Sequence, residues 1–163
     1  MIRQFSAGGV VFKKDQSRIL FLLKKSSLTP GYYAAGEWSL PKGWLDDAGP
    51  DQPGPFTLGQ KRATSDQVRA AALREVREET GVAAEILSRL GDVKFVFTDH
   101  HHEKVFKTVI YFLMEYVRDL PEGFDSETSE IRWVTQQEAP SLLKKRKGES
   151  DLIIKANDIL AKM

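Results

Sequence analysis

The stretch Arg74-Glu75-Val76-Arg77-Glu78-Glu79-Thr80-Gly81-Val82 sets three acids, Glu75, Glu78 and Glu79, at i, i+3 and i+4. On a helix those positions stack on one side. The flanks predict a helix: Thr64 and Gln67 are spaced as a capping box, and Gly81 stands where a left-handed residue ends a helix. The expected span is Ser65 to Thr80. Carboxylates gathered in one small volume repel, and a hard divalent cation with oxygen ligands, Mg²⁺ or Mn²⁺, neutralises them at least cost. Arg74, one turn before Glu78, is placed to hold that carboxylate in position. The competing reading is a solvated, salt-bridged helix face. Val68, Ala71 and Ala72 count against it, because they fall on roughly the same side one and two turns earlier. That side is therefore expected to press on a sheet, with the acids pointing into a cleft.

Outward from this helix the pattern is one of strands. Phe5 to Phe12 and Arg18 to Leu23 are β-branched, aromatic or leucine-rich around the turn-forming Lys14-Asp15-Gln16-Ser17, a hairpin pattern. A loop from Ser26 to Gly36 leads to Leu40-Pro41-Lys42-Gly43. Asp46 to Arg62 is rich in Pro, Gly and Asp and is expected to be irregular and on the surface. Beyond the helix, Glu85 to Phe97 and Lys104 to Val117 read as strands joined across Thr98 to Glu103, and Ile131 to Val134 as a further short one. Thr135 with Glu138 forms a second capping box before a short helix, and a last helix starts at Ser150. Strands interrupted by one central helix and closed by terminal helices fit a mixed α/β sandwich better than a doubly wound parallel sheet.

The 163 residues, 41% hydrophobic and 29% charged, suit a single domain spanning 1–163, with one core carrying the whole function. Lys and Arg total 24 against 23 Asp and Glu, a formal charge of +1. No global field would hold duplex nucleic acid or an anionic membrane, so an anionic ligand must be captured locally. The absence of cysteine removes disulfides, thiolate metal sites and cysteine nucleophiles, and the expectation is a reducing, cytoplasmic setting. No signal-like leader or long apolar run stands out.

Residues 74–82 resemble the second half of the Nudix box, and Leu40-Pro41-Lys42-Gly43 resembles its start. The resemblance implies a Nudix-type α/β/α sandwich with a mixed sheet, a loop-helix-loop catalytic motif, and divalent-metal-dependent cleavage of a phosphoanhydride in a nucleoside diphosphate linked to another moiety. It implies that Glu75, Glu78 and Glu79 are metal ligands or the water-activating base, and that the backbone carbonyl of Lys42 is a further ligand. Two departures stand out. Twenty-two residues separate Gly43 from Asp66 where the family has five, so 17 extra residues form an inserted loop at about 46–65. This loop is expected to be a flap near the mouth of the site, against the alternative of a neutral surface elaboration. Asp66 fills the earlier glutamate position, whose family role is to pair with the arginine, so weaker anchoring of the loop is expected.

Lys107-Thr108-Val109-Ile110-Tyr111-Phe112-Leu113 and Glu127-Thr128-Ser129-Glu130-Ile131-Arg132-Trp133 resemble, in this order, the asymmetrical diadenosine tetraphosphate hydrolase branch. That likeness implies that Glu127 completes the metal site or acts as base, against the reading of an ordinary acid in an acidic loop. Tyr111 is expected to stack on adenine, against a core role shared with Val109 and Leu113. Lys42 and Lys107 are expected phosphate contacts, against solvated surface lysines. His100, His101 and His102 are adjacent in a turn and cannot converge on one ion. The substrate expected from this branch is diadenosine tetraphosphate, cut to ATP and AMP by a monomer or homodimer. Alternative readings are a pyrophosphatase acting on nucleoside-diphosphate sugars, ADP-ribose or diphosphoinositol polyphosphates, and a non-catalytic nucleotide-binding module.

Overall fold

The computed structural model describes residues 1–28 and 35–163, so most of the expected loop from Ser26 to Gly36 lies outside the described residues. The first strand, β1 (Ile2–Asp15), organises the sheet because its two edges are used differently along its length. On one edge it runs parallel to β8 (Lys104–Asp119) from Ile2 to Phe12. On the other, Ser6–Gly8 pair with β4 (Lys42–Trp44), while Phe12–Asp15 pair with β2 (Arg18–Ser26). Between these two partners the Gly9 N–H donates to the Pro41 carbonyl at 3.2 Å. The edge of β1 thus forks, and Leu40-Pro41-Lys42 is seated in the fork.

β2 carries on away from β1 to pair with β3 (Trp38–Ser39) and with β9 (Thr128–Val134). β7 (Val82–Thr98) flanks β8 as an antiparallel neighbour, giving the order β3-β2-β1-β8-β7, with β4 attached to β1 and β9 to β2. A separate small ribbon, β5 (Asp47–Gly49) with β6 (Gln52–Pro53), lies in the segment expected to be wholly irregular. Its turn carries Asp51 at φ +60.

Strand alternation sends residues to two apolar layers. Val10, Phe12, Phe21, Leu23, Val109, Tyr111 and Leu113 join Leu152, Ile153, Ala156 and Leu160 of helix α3 (Lys147–Ala161). Ala7, Val11, Leu22, Phe112 and Met114 face Ala71, Ala72 and Val76 of α1 (Ser65–Thr80). A helix therefore covers each face of a mixed sheet, the α/β/α sandwich that the resemblance implies. The short α2 (Ala139–Leu142) precedes α3. No helix among the described residues is long and apolar enough to cross a membrane.

α1 begins and ends where its caps predict. Thr64 and Gln67 form the reciprocal capping box, and Gly81 adopts φ 70, ψ 23 as its N–H bonds back to the Arg77 carbonyl. A side chain there would collide with the Gly123 backbone at 2.6 Å, so both the conformation and the close approach require glycine. The last helix starts at Lys147, ahead of the expected Ser150.

Candidate active site

The three glutamates of α1 lie on adjacent turns; Glu75 and Glu78 share Arg74, and Glu79 turns to Lys24 and the Lys42 N–H. Glu75 turns toward β4, with its carboxyl packed so closely over Gly43 that an added Cβ would sit 2.2 Å from it. Arg74 approaches one of its oxygens at 3.3 Å. Burial first, and then the neighbouring Glu79 charge, push the Glu75 carboxyl up to about 7. Glu79 is buried; its Oε1 accepts from the Lys42 N–H at 2.8 Å and its Oε2 from the Lys24 ammonium at 3.1 Å. Burial still raises its proton affinity against the pull of Lys24 and Lys42. Glu78 is exposed, with Arg74 Nε 4.0 Å away.

Among the described residues, no three His, Asp or Glu side chains stand ready to hold an ion. Helical spacing makes Glu75, Glu78 and Glu79 neighbours whose charges act on one another, while Glu79 and Glu75 are each engaged by N–H groups of the protein. The donors nonetheless suit a hard divalent cation. They are carboxylate oxygens, and Glu79 uses only two of its roughly four acceptor sites on the protein. The Glu79 charge also raises the proton affinity of Glu75, a repulsion that a cation would offset.

Arg74 also departs from expectation. Its main contact is a 2.9 Å bond to the Trp44 carbonyl, so it anchors the strand after Gly43 more firmly than it holds Glu78. Asp66 is exposed in the first turn of α1, where it complements the positive end of the helix. Anchoring of the loop falls instead to Asp46, a residue that sequence reasoning missed. Its carboxylate accepts from the N–H groups of Phe56 and Thr57 at 3.1 and 2.9 Å, and its backbone N–H and carbonyl both bond the Thr57 hydroxyl. Thr57 is fully buried, and its carbonyl accepts from the Phe5 N–H of β1 at 2.7 Å. The insertion, expected as a flap near the mouth of the site, is thus closed on itself and docked on β1, while the charge of Asp51 at its turn reaches Glu127. The sequence clue was Asp46 with Thr57, both able to bond backbone around a Pro-Gly-rich turn.

Glu127 reaches the helix through its neighbours. Thr128 Oγ1 donates to the Glu79 carbonyl at 2.7 Å, and the Asp125 N–H donates to the Glu78 carbonyl at 2.8 Å, stitching this loop to the end of α1. Glu127 is exposed, and partial loss of solvent, followed by the Asp125 charge, raises its carboxyl above the usual range. Lys24, also missed from the sequence, bonds the Glu127 carbonyl at 3.5 Å as well as Glu79.

On the other side of the fork, Lys42, Gly8 and Tyr111 form one row across β4, β1 and β8. Burial lowers the pKa of Lys42 and takes that of Lys107 to about 7, the mutual repulsion of the two lysines adding to the effect on Lys107. Tyr111 is 0% exposed within the α3-side core, so its ring presents no face to a base. The adenine-stacking expectation is replaced by a core role, although its hydroxyl and that of Ser6 find no hydrogen-bond partner among the described residues. His100, His101 and His102 are exposed between β7 and β8.

Comparison with known proteins adds the lineage. The NUDIX domain model matches residues 2–155. The chain belongs to the Nudix family. A Mycobacterium tuberculosis protein named "Putative mutator protein MutT4" is 35% identical over 106 residues, covering 65% of this chain and 36% of that protein. The chain thus aligns with about a third of that relative's length. A Caenorhabditis elegans Ap4A hydrolase in a binary complex shares the fold at TM-score 0.66 and 21% identity, over 98% of this chain and 99% of the other. The Shewanella oneidensis NrtR NUDIX domain, solved with ADP ribose, matches at TM-score 0.62 and 17% identity, over 98% and 90%. In this Nudix chain the box is assembled across the insertion: Gly43 touches Glu75 despite the residues between them.

Proposed function

We propose that this Nudix protein is a Mg²⁺- or Mn²⁺-dependent pyrophosphohydrolase that cleaves dinucleoside polyphosphates, converting diadenosine tetraphosphate to ATP and AMP. The observation that carries this reading is the pairing of Glu75, an acid with proton affinity near neutrality, with Lys42 and Lys107, two shielded cations without an ion pair among the described residues. A polyphosphate offers those lysines an ion-pair partner, and the Glu75 carboxylate is the group that would accept a proton from water. Glu78, Glu79, Glu127 and the Lys42 carbonyl would hold the divalent ion, leaving Glu75 as the base; when bound, the ion would withdraw charge from the phosphates and acidify water.

In this proposal the water oxygen bonds to phosphorus as Glu75 takes its proton, and the P–O bond to the leaving nucleotide breaks in line. Lys42 and Lys107 neutralise the charge left on the polyphosphate. Arg74 keeps Gly43 against Glu75 through Trp44, and Lys24 keeps Glu79 oriented. The order of the Lys107–Leu113 and Glu127–Trp133 segments, with Glu127 brought beside α1, supports the dinucleotide over the sugar-linked substrates. The test is chromatography of diadenosine tetraphosphate incubated with purified protein and Mg²⁺, alongside ADP-ribose and UDP-sugars. ATP and AMP in equal amounts are expected; two ADP, or turnover of the sugar nucleotides alone, would refute the assignment.

A further inference from the structure

The turn that carries Lys42 is fixed by a residue that lies outside the Nudix box. Pro41 has no N–H, so the donors of Leu40-Pro41-Lys42 are the N–H groups on either side of it. Both are taken by shielded carboxylates from opposite layers of the sandwich. The Lys42 N–H goes to Glu79 of α1 at 2.8 Å, and the Leu40 N–H goes to Glu149 Oε1, in the first turn of α3, at 2.6 Å. The side chain of Glu149 is only 4% exposed. Its second oxygen is held by Arg146 at 3.2 Å, and the other end of that guanidinium reaches Glu37 at 3.1 Å. The carboxylate therefore has little freedom to turn. A buried ion pair adds little net stability over well-packed apolar side chains, so stability alone does not account for committing one to a single peptide group.

We propose that Glu149 is a positioning residue for the active site: by gripping the Leu40 N–H from the α3 side, it fixes the Ser39–Leu40 peptide plane, the point from which the chain turns through Pro41, and so the placement of Lys42. The proposal rests on the metal-dependent reading of the site. Glu149 is also the leading favourable charge on Lys42, and substitution separates the two contributions. The Glu149→Gln variant keeps an acceptor for the Leu40 N–H and loses the charge; Glu149→Leu loses both.

The test measures Mn²⁺ affinity by electron paramagnetic resonance, without substrate and well below the melting temperature, for wild type, E149Q, E149L and R146M, with folding checked by circular dichroism. E149Q is expected to bind Mn²⁺ within about threefold of wild type. E149L, with its N–H unpartnered, is expected to bind about tenfold more weakly, and R146M, which frees the carboxylate, about threefold more weakly. A role in stability alone would lower the melting temperature and leave Mn²⁺ affinity in the folded protein unchanged; that result in E149L overturns the proposal. If E149L fails to fold, unchanged affinity in R146M overturns it instead. Mn²⁺ binding that follows this order in a protein inactive on every dinucleotide would sink the substrate assignment and leave the positioning role standing. Turnover with no dependence of Mn²⁺ affinity on these variants would do the reverse.

Discussion

Replacing Glu75 by Gln should stabilise the metal-free protein at alkaline pH and leave it unchanged at acid pH. The folded-state carboxyl ionises near pH 7 where an ordinary one ionises at 4.5. Between those values the native state holds a proton that the unfolded chain has released, so stability is full below pH 4.5 and falls as pH rises through 7. A separation of about 2.5 pH units at roughly 1.4 kcal/mol each gives about 3 kcal/mol lost by pH 8. The side chain is only 13% exposed, so solvent screens this little. Gln removes the ionisation and gives up a partly exposed contact with Arg74 worth under about 1 kcal/mol. At about 2–4 °C per kcal/mol for a chain of this size, E75Q should melt roughly 5–10 °C above wild type at pH 8 in EDTA. The two curves should converge by pH 4.5. Differential scanning calorimetry across that range decides the matter: an E75Q melting point equal to or below wild type at pH 8 would mean that Glu75 is ionised in the fold without penalty.

Three further outcomes follow from other contacts. K24M leaves the buried Glu79 carboxylate without its ammonium and should cost about 3–5 kcal/mol in urea unfolding at pH 7, a loss of less than about 1 arguing that water replaces the lysine. Y111F removes a hydroxyl with no partner and should be neutral or stabilising, by up to about 1 kcal/mol; a tenfold rise in KM would show instead that the hydroxyl meets substrate. D46A should open the insertion, making residues 47–61 cleavable in limited proteolysis under conditions where wild type is intact, with kcat changed less than about threefold, whereas a working flap would show the opposite pattern.

What could be read from the residues alone was whatever local chemistry decides. Thr64, Gln67 and Gly81 fix α1 because capping and a left-handed stop act within a few residues. The reciprocal bonds between Thr135 and Glu138 were equally legible, yet the helix after them is a single turn, because propagation depends on packing that no cap records. Alternation assigned Tyr111, Val109 and Leu113 to one face of β8 and left open whether that face was core or pocket; the answer lay in α3, which covers it. The carboxylates were legible on their helix, but not the donors that hold Glu79, since Lys24 and the Lys42 N–H come from residues far along the chain. Glu149 was invisible for the same reason, acting on a backbone group 109 residues away, whereas Asp46 left only the weak clue of its turn-forming surroundings.

The knot of bonds between Asp46 and Thr57 makes chain length in this region independent of what happens at Gly43 and Glu75. Both ends of the intervening peptide are tied to each other before the chain leaves for α1, so residues 47–53 project beyond a closed gate. Segments of other lengths could be exchanged there, an epitope or a reporter peptide among them, and the cleft would register the change mainly through the loss of the Asp51 charge beside Glu127.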